Sequence, residues 1–198
     1  PGIFSAGADI KELPMPREVD EERQLLARTV LNTVLRSPVP VICAVTGPAL
    51  GAGCALAAAC DIRLATPTAR FGLPEITVGR CGGSRHVMRV LPQGVVRHMY
   101  FTGNPIPAQR AFELGMVSEL LPDDDALRAR SVELAGEIAA NSPTAIRLAK
   151  QALDLAEELP IATGYEVEQQ FSLRLAATPD AAEAAAAFRE KRAPRWPS

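Results

Sequence analysis

No surplus of one charge runs through this sequence. Its 21 lysines and arginines stand against 23 aspartates and glutamates, a formal net charge of −2 with the histidines neutral. Without a basic block, binding to nucleic acid or to an anionic membrane surface has no electrostatic footing. Long apolar runs are missing too: the stretches 39–45 and 49–59 are interrupted or shorter than the roughly 20 residues that span a bilayer, so a soluble protein is expected. The four cysteines, Cys43, Cys54, Cys60 and Cys81, make no Cys-x-x-Cys pair and have no histidine at metal-ligand spacing. Structural thiols, no metal and a reducing, cytoplasmic compartment are the expectation. No Gly-x-Ser-x-Gly elbow is present, and Ser84 with His86 lacks the spacing of a triad, which leaves nucleophilic hydrolysis unsupported. The opening Pro1-Gly2-Ile3-Phe4 has neither a charged nor a hydrophobic leader region, so it is no signal peptide. A glycine turn with nothing before it reads as the continuation of a domain whose first part is absent.

What is present is ordinary globular material. The chain has 198 residues, 47% of them hydrophobic and 22% charged, enough for one compact domain or two small ones. No linker, repeat or low-complexity tract divides it. Helical spacing of Leu25, Val30, Leu31, Val34 and Leu35 predicts an amphipathic helix over 21–37, stopped by Pro38 and Pro40. Residues 41–45 and 61–65 read as short buried strands, 47–53 as a turn and 54–60 as a small-residue helix. An irregular stretch carries Phe71-Gly72-Leu73-Pro74-Glu75, and from Gly82 onward the pattern is nearly all helical. Ser142-Pro143 and Thr178-Pro179 each pair an N-cap residue with a proline in the first turn. A strand-rich front and a helical rear describe an α/β protein.

Three segments have chemical potential. Ser5-Ala6-Gly7-Ala8-Asp9 combines small residues with a glycine, which lets backbone N–H groups approach a ligand; a plain surface turn is the other reading. Val45 to Cys54 is a strand feeding a glycine-rich turn that feeds a helix. N–H groups at such a helix start carry positive potential and suit a developing oxyanion. Close helix packing explains the same residues, and Gly51-Ala52-Gly53-Cys54-Ala55-Leu56 is a partial match to a dinucleotide-binding turn that lacks its last glycine. Glu75 follows an apolar stretch that would raise its pKa towards the acid–base range, although a lone glutamate is also an ordinary loop charge.

Taken in order, these segments resemble the crotonase superfamily of enoyl-CoA hydratases and isomerases. The resemblance runs through Phe4-Ser5-Ala6-Gly7-Ala8-Asp9-Ile10-Lys11, Gly47-Pro48-Ala49-Leu50-Gly51-Ala52-Gly53-Cys54, Cys60-Asp61-Ile62, Phe71-Gly72-Leu73-Pro74-Glu75-Ile76, Leu114-Gly115-Met116-Val117 and Phe188-Arg189-Glu190-Lys191-Arg192. It implies an α/β spiral of ββα units over residues 1–122 and a helical trimerisation region over 123–198, in a homotrimer or homohexamer. It also implies an acyl-CoA substrate, with coenzyme A carried in the thioester and no separate cofactor.

By the same resemblance, the N–H groups of Ala8 and Ala52 hold the thioester oxygen, and Glu75 moves the α-proton. Ala6, Gly7, Ile10, Lys11 and Gly51 shape the CoA and substrate site, while Phe188 and Lys191 reach the CoA of a neighbouring subunit. Family hydratases resemble a two-glutamate arrangement. Here the first of those positions is Ala55, so one-base double-bond isomerisation is favoured, with hydration and non-catalytic acyl-CoA binding as alternatives. A nicotinamide dehydrogenase rests on the glycine match alone. The loop Gly79-Arg80-Cys81-Gly82-Gly83 is shorter than the family loop it resembles, which places Arg80 as either a substrate-carboxylate ligand or a partner for a surface acid.

Overall fold

The computed structural model describes residues 2–12 and 14–197, without the side chain of Ile10. Pro1, which opens the chain, lies outside the described residues. The structure divides into two units, 1–35 with 41–132 and 36–40 with 133–198. The expected boundary after residue 122 therefore falls too early.

In the first unit, helix α1 (Arg17–Leu35) starts a turn before the predicted span and ends ahead of Pro38. Strands β1 (Ile42–Val45) and β2 (Pro48–Leu50) lead into helix α2 (Ala52–Ala59), and β3 (Ile62–Ala65) and β4 (Arg70–Gly72) lead into a 3-10 helix, Pro74–Val78. Then come α3 (Ser84–Val87), α4 (Gln93–Thr102), β5 (Ile106–Pro107), α5 (Ala108–Glu113), β6 (Glu119–Leu120) and α6 (Asp124–Ala139). The first half of α6 is tied to this unit by buried Leu127 and by Arg130, whose Nε lies 2.9 Å from Glu119. The first unit for that reason extends beyond the expected boundary into the first half of this helix.

Each ββα turn deals one strand to each of two sheets. β1, β3 and β6 form a parallel sheet with Ile42 opposite Ile62 and Leu64 opposite Glu119. β2 and β4 pair in parallel, Leu50 opposite Gly72, and β5 adds an antiparallel edge. This is the expected α/β spiral. Three details differ from the sequence reading. The segment 47–53 contains β2, 66–75 contains β4, and the chain after Gly82 contains β5 and β6. All four strands are two or three residues long, too short for a periodic signal, and partner strands rather than local pattern define them.

Phe71, Leu64, Leu73 and Met99 are fully buried at the centre of the unit, each contributing about 1.5–3 kcal/mol by leaving water. Beside them the buried guanidinium of Arg63 donates to the carbonyls of Met116 (2.6 Å), Ala57 (3.2 Å), Cys60 (2.6 Å) and Asp61 (3.2 Å). Burial pushes its pKa down, and the ring of carbonyls replaces the lost water. Cys43, Cys54 and Cys60 are buried as expected and Cys81 is exposed; among the described residues none of the four is in a disulfide. Among the described residues, no group of His, Cys, Asp or Glu has the arrangement of a metal site, and no helix is long and apolar enough to cross a membrane.

The second unit is helical: α7 (Pro143–Ala156), α8 (Ile161–Ala176) and α9 (Pro179–Glu190). Both expected caps are present. The Ser142 hydroxyl accepts from Ala145 N–H at 2.9 Å, and Thr178 accepts from Ala181 N–H at 3.3 Å.

Candidate active site

Residues 5–8 are held against β2 by a short parallel bridge. Ser5 N–H donates to Pro48 O (3.1 Å), and Leu50 N–H donates to Ser5 O (2.8 Å). The chain comes so close here that a Cβ on Gly53 would lie 2.5 Å from Ser5 O, so the first turn of α2 has to carry a glycine. At Gly7 a Cβ would stand 3.1 Å from the Ala52 nitrogen, which places the two glycine loops backbone to backbone.

At the start of α2 the N–H of Gly51 is bonded to Gly72 O at 2.9 Å. That amide is therefore unavailable to a pyrophosphate, which weakens the dinucleotide reading of the turn. The next amide, Ala52 N–H, has no acceptor among the described residues, and neither has that of Ala8. Ala8 and Ala52 are both exposed. Two adjacent loops thus present unpaired N–H groups, one of them at the positive end of a helix.

Glu75 sits in the 3-10 helix started by Pro74 and ended by left-handed Gly79. Its Oε1 lies 3.1 Å from the point where a Cβ on Gly51 would be, directly behind the turn that carries Ala52. Its Oε2 is shielded from solvent and has no hydrogen-bond partner among the described residues. Burial pushes the carboxyl pKa above its ordinary value. Neighbouring Cys54 is pushed up to about 12, first by its own burial and then by the Glu75 charge. Gly83 closes the other side: a Cβ there would lie 3.5 Å from Ala55 Cβ and 3.9 Å from Glu75 Oε1. The Ala55 methyl group and the Glu75 carboxyl thus both border the space beside Gly83.

The remaining expected residues fall as follows. Ala6 and Lys11 are exposed, and Lys11 N–H is capped by Asp9 at 2.9 Å. Ile10 opens a 3-10 turn, Ile10–Glu12, and its side chain lies outside the description. Arg80 donates its backbone N–H to Glu75 O (2.9 Å), while its guanidinium is ion-paired to Asp20 of α1. Of the two roles expected for Arg80, pairing with a protein acid is the one observed. Asp20 also accepts from Arg23 (2.9 Å) and Gln24 (3.2 Å), an assembly that sequence reading missed. His86 is half-buried with its pKa lowered by burial and by Arg89 and Arg85, and His98 is exposed on α4. Phe188 and Lys191 belong to the second unit, where Phe188 is 86% exposed and Lys191 caps α9 in a left-handed conformation.

The whole chain, residues 1–198, matches the family model described as enoyl-CoA hydratase/isomerase. It is 40% identical to the 2,3-dehydroadipyl-CoA hydratase of Escherichia coli over 97% of this chain and 76% of that protein. It is 34% identical to the mitochondrial methylglutaconyl-CoA hydratase of Mus musculus over 99% of this chain and 65% of the relative. The crystal structure of enoyl-CoA hydratase from Bacillus anthracis superposes with a TM-score of 0.91 at 36% identity, covering 96% of this chain and 75% of that one.

Proposed function

This chain belongs to the enoyl-CoA hydratase/isomerase family of the crotonase superfamily, and on that premise we propose that it is an enolate-forming acyl-CoA enzyme that moves a double bond with Glu75 as its single base. The thioester oxygen of a 3-enoyl-CoA sits between the N–H groups of Ala8 and Ala52. The Glu75 carboxylate takes a proton from C2, and the electron pair of the broken C–H bond passes into a dienolate whose oxyanion the two amides hold. The Glu75 carboxyl then returns the proton at C4, the double bond comes to rest between C2 and C3, and the carboxylate is regenerated. One preorganised donor of this type is worth about 3 kcal/mol of transition-state stabilisation.

The observation that carries the reading is the state of the Glu75 carboxyl: partly desolvated, with Oε2 unpartnered among the described residues, behind the Ala52 turn and bordering the same space beside Gly83 as the methyl group of Ala55. A desolvated carboxylate is a stronger base than one in water, and a lone one can take up and return the same proton. Hydration is the second reading, favoured by the names of the relatives, both hydratases. A homotrimer or homohexamer, with Phe188 and Lys191 reaching a neighbour's CoA, and a cytoplasmic location complete the proposal.

The test is turnover of 3-enoyl-CoA and 2-enoyl-CoA esters in heavy-oxygen water, followed by mass spectrometry. A shifted double bond without oxygen uptake supports isomerisation. Incorporated oxygen replaces it with hydration, and saturable binding without turnover reduces the chain to an acyl-CoA binder.

A further inference from the structure

The loop that follows Glu75 carries a charge imbalance, with Arg80 bonded through its backbone to Glu75 and through its side chain to α1. Arg80 and Arg23 converge on one carboxylate, that of Asp20, and both guanidiniums keep 30% of their side-chain surface exposed while Asp20 keeps 15%. Gln24 adds a third donor to the same carboxylate and no charge. Glu21, the nearest acid along α1, is engaged by Arg17 at 2.7 Å. Two guanidiniums thus share one carboxylate, the only acidic side chain bonded to either of them among the described residues.

Hydrogen bonding shows the same deficit. Arg23 Nε is shielded from solvent and has no acceptor among the described residues. A surface ion pair would leave such a group to water; one that is sealed and unpaired costs free energy until an acceptor reaches it. Asp20 has no proton to give, because its two arginine partners hold its pKa below the ordinary carboxylate value. It therefore serves to hold the two forks. The cluster is anchored to the reacting centre through the Arg80 N–H, bonded to the carbonyl of Glu75 itself.

Building on the enolate-forming reading of Glu75, we propose that Arg80 and Arg23 receive a second carboxylate at the far end of the acyl chain, so that the substrate class is the mono-CoA thioester of a dicarboxylic acid. The added carboxylate supplies a second negative charge to the two guanidiniums, and an acceptor for Arg23 Nε once that side chain turns towards it. A methyl-terminated acyl chain would instead cover two guanidiniums and replace none of their water, which discriminates against it.

The experiment is calorimetric titration of the full chain with adipoyl-CoA and hexanoyl-CoA, saturated esters of equal length that differ in the terminal carboxylate. The wild-type chain should bind adipoyl-CoA at least about tenfold more tightly, the low end of a hydrogen bond to a charged group. In Arg80→Gln and in Arg23→Gln that preference should shrink to within about twofold. Arg80→Lys, which keeps the charge without the fork, should retain an intermediate preference, separating recognition from damage to the loop. Equal wild-type affinities, or a preference that survives both glutamine variants, overturn the proposal. Exchange of the α-protons of either ester with deuterated water reports on Glu75 separately. If Glu75→Gln exchanges at the wild-type rate, the base assignment fails while the affinity comparison still decides the fate of the arginines.

Discussion

The carboxyl group of Glu75 rests against the α-carbon of Gly51, with Oε1 only 3.1 Å from where a side chain on that glycine would begin. The proposed base and the proposed oxyanion turn are thus close enough that a side chain at Gly51 would press on the carboxyl. Gly51→Ala should put a methyl group into that contact and force an alanine to hold φ 56° with ψ −123°, a sparsely populated conformation that costs about 1–3 kcal/mol. Displacing the carboxylate should lower kcat by about 10²-fold. Steady-state kinetics beside acyl-CoA titration will check this, and unchanged kcat would mean the contact is idle.

Replacing the carboxyl by an amide should separate catalysis from stability. Glu75→Gln should cut α-proton exchange by about 10²–10⁴-fold, the usual worth of a positioned acid–base group.

The pH dependence of stability follows from the direction of the Glu75 shift. Its folded pKa is raised by burial, so its contribution favours the fold below the ordinary carboxylate range and is lost as pH rises through the folded value. Glu75→Gln should therefore raise the melting temperature at pH 7, with the gain vanishing below about pH 4. The activity of the wild type should run the other way and increase with pH through the same raised pKa. Melting curves and pH–rate profiles measure both, and a thermal gain independent of pH would contradict the assignment.

Gly53→Ala should destabilise the chain by about 1–3 kcal/mol, the usual range for overpacking, because its Cβ would meet the Ser5 carbonyl and side chain. The same push moves residues 5–8 away from β2 and should depress activity beyond the stability loss. Urea unfolding and turnover measured on one preparation compare the two effects.

Arg63→Met keeps the length of the side chain and deletes its donors. Each carbonyl left without a partner costs about 1–3 kcal/mol, so a total loss above about 3 kcal/mol is expected. A denaturation midpoint within error of the wild type would show that the carbonyls find other donors.

How much of this was legible in the sequence depends on distance along the chain. The strands 42–45 and 62–65, the caps at Ser142 and Thr178 and the apolar setting of Glu75 are local patterns, and local physics reproduces them. β2, β4, β5 and β6 were missed because two or three residues carry no period. The reason for Gly53 lies in Ser5, a contact that nothing in the helix sequence announces. Asp20 sits in an ordinary charged stretch of α1, and its partner Arg80 is 60 residues away, so no spacing rule connects them. The missing carboxylate at Ala55 was visible as a residue type. Its closeness to Glu75 was not.

The bridge between Ser5 and β2 sets the order in which the molecule fails. One of the two amides proposed to hold the thioester rides on a segment docked through the bonds of Ser5 to Pro48 and Leu50, whereas the other begins a helix buried in the core. Segments fastened at an edge open with less free energy than whole domains. On warming, the Ala8 arm should lift first, so that heat inactivation precedes the loss of helical signal. The fold should then outlive its chemistry, and a sample intact by circular dichroism would already be inert.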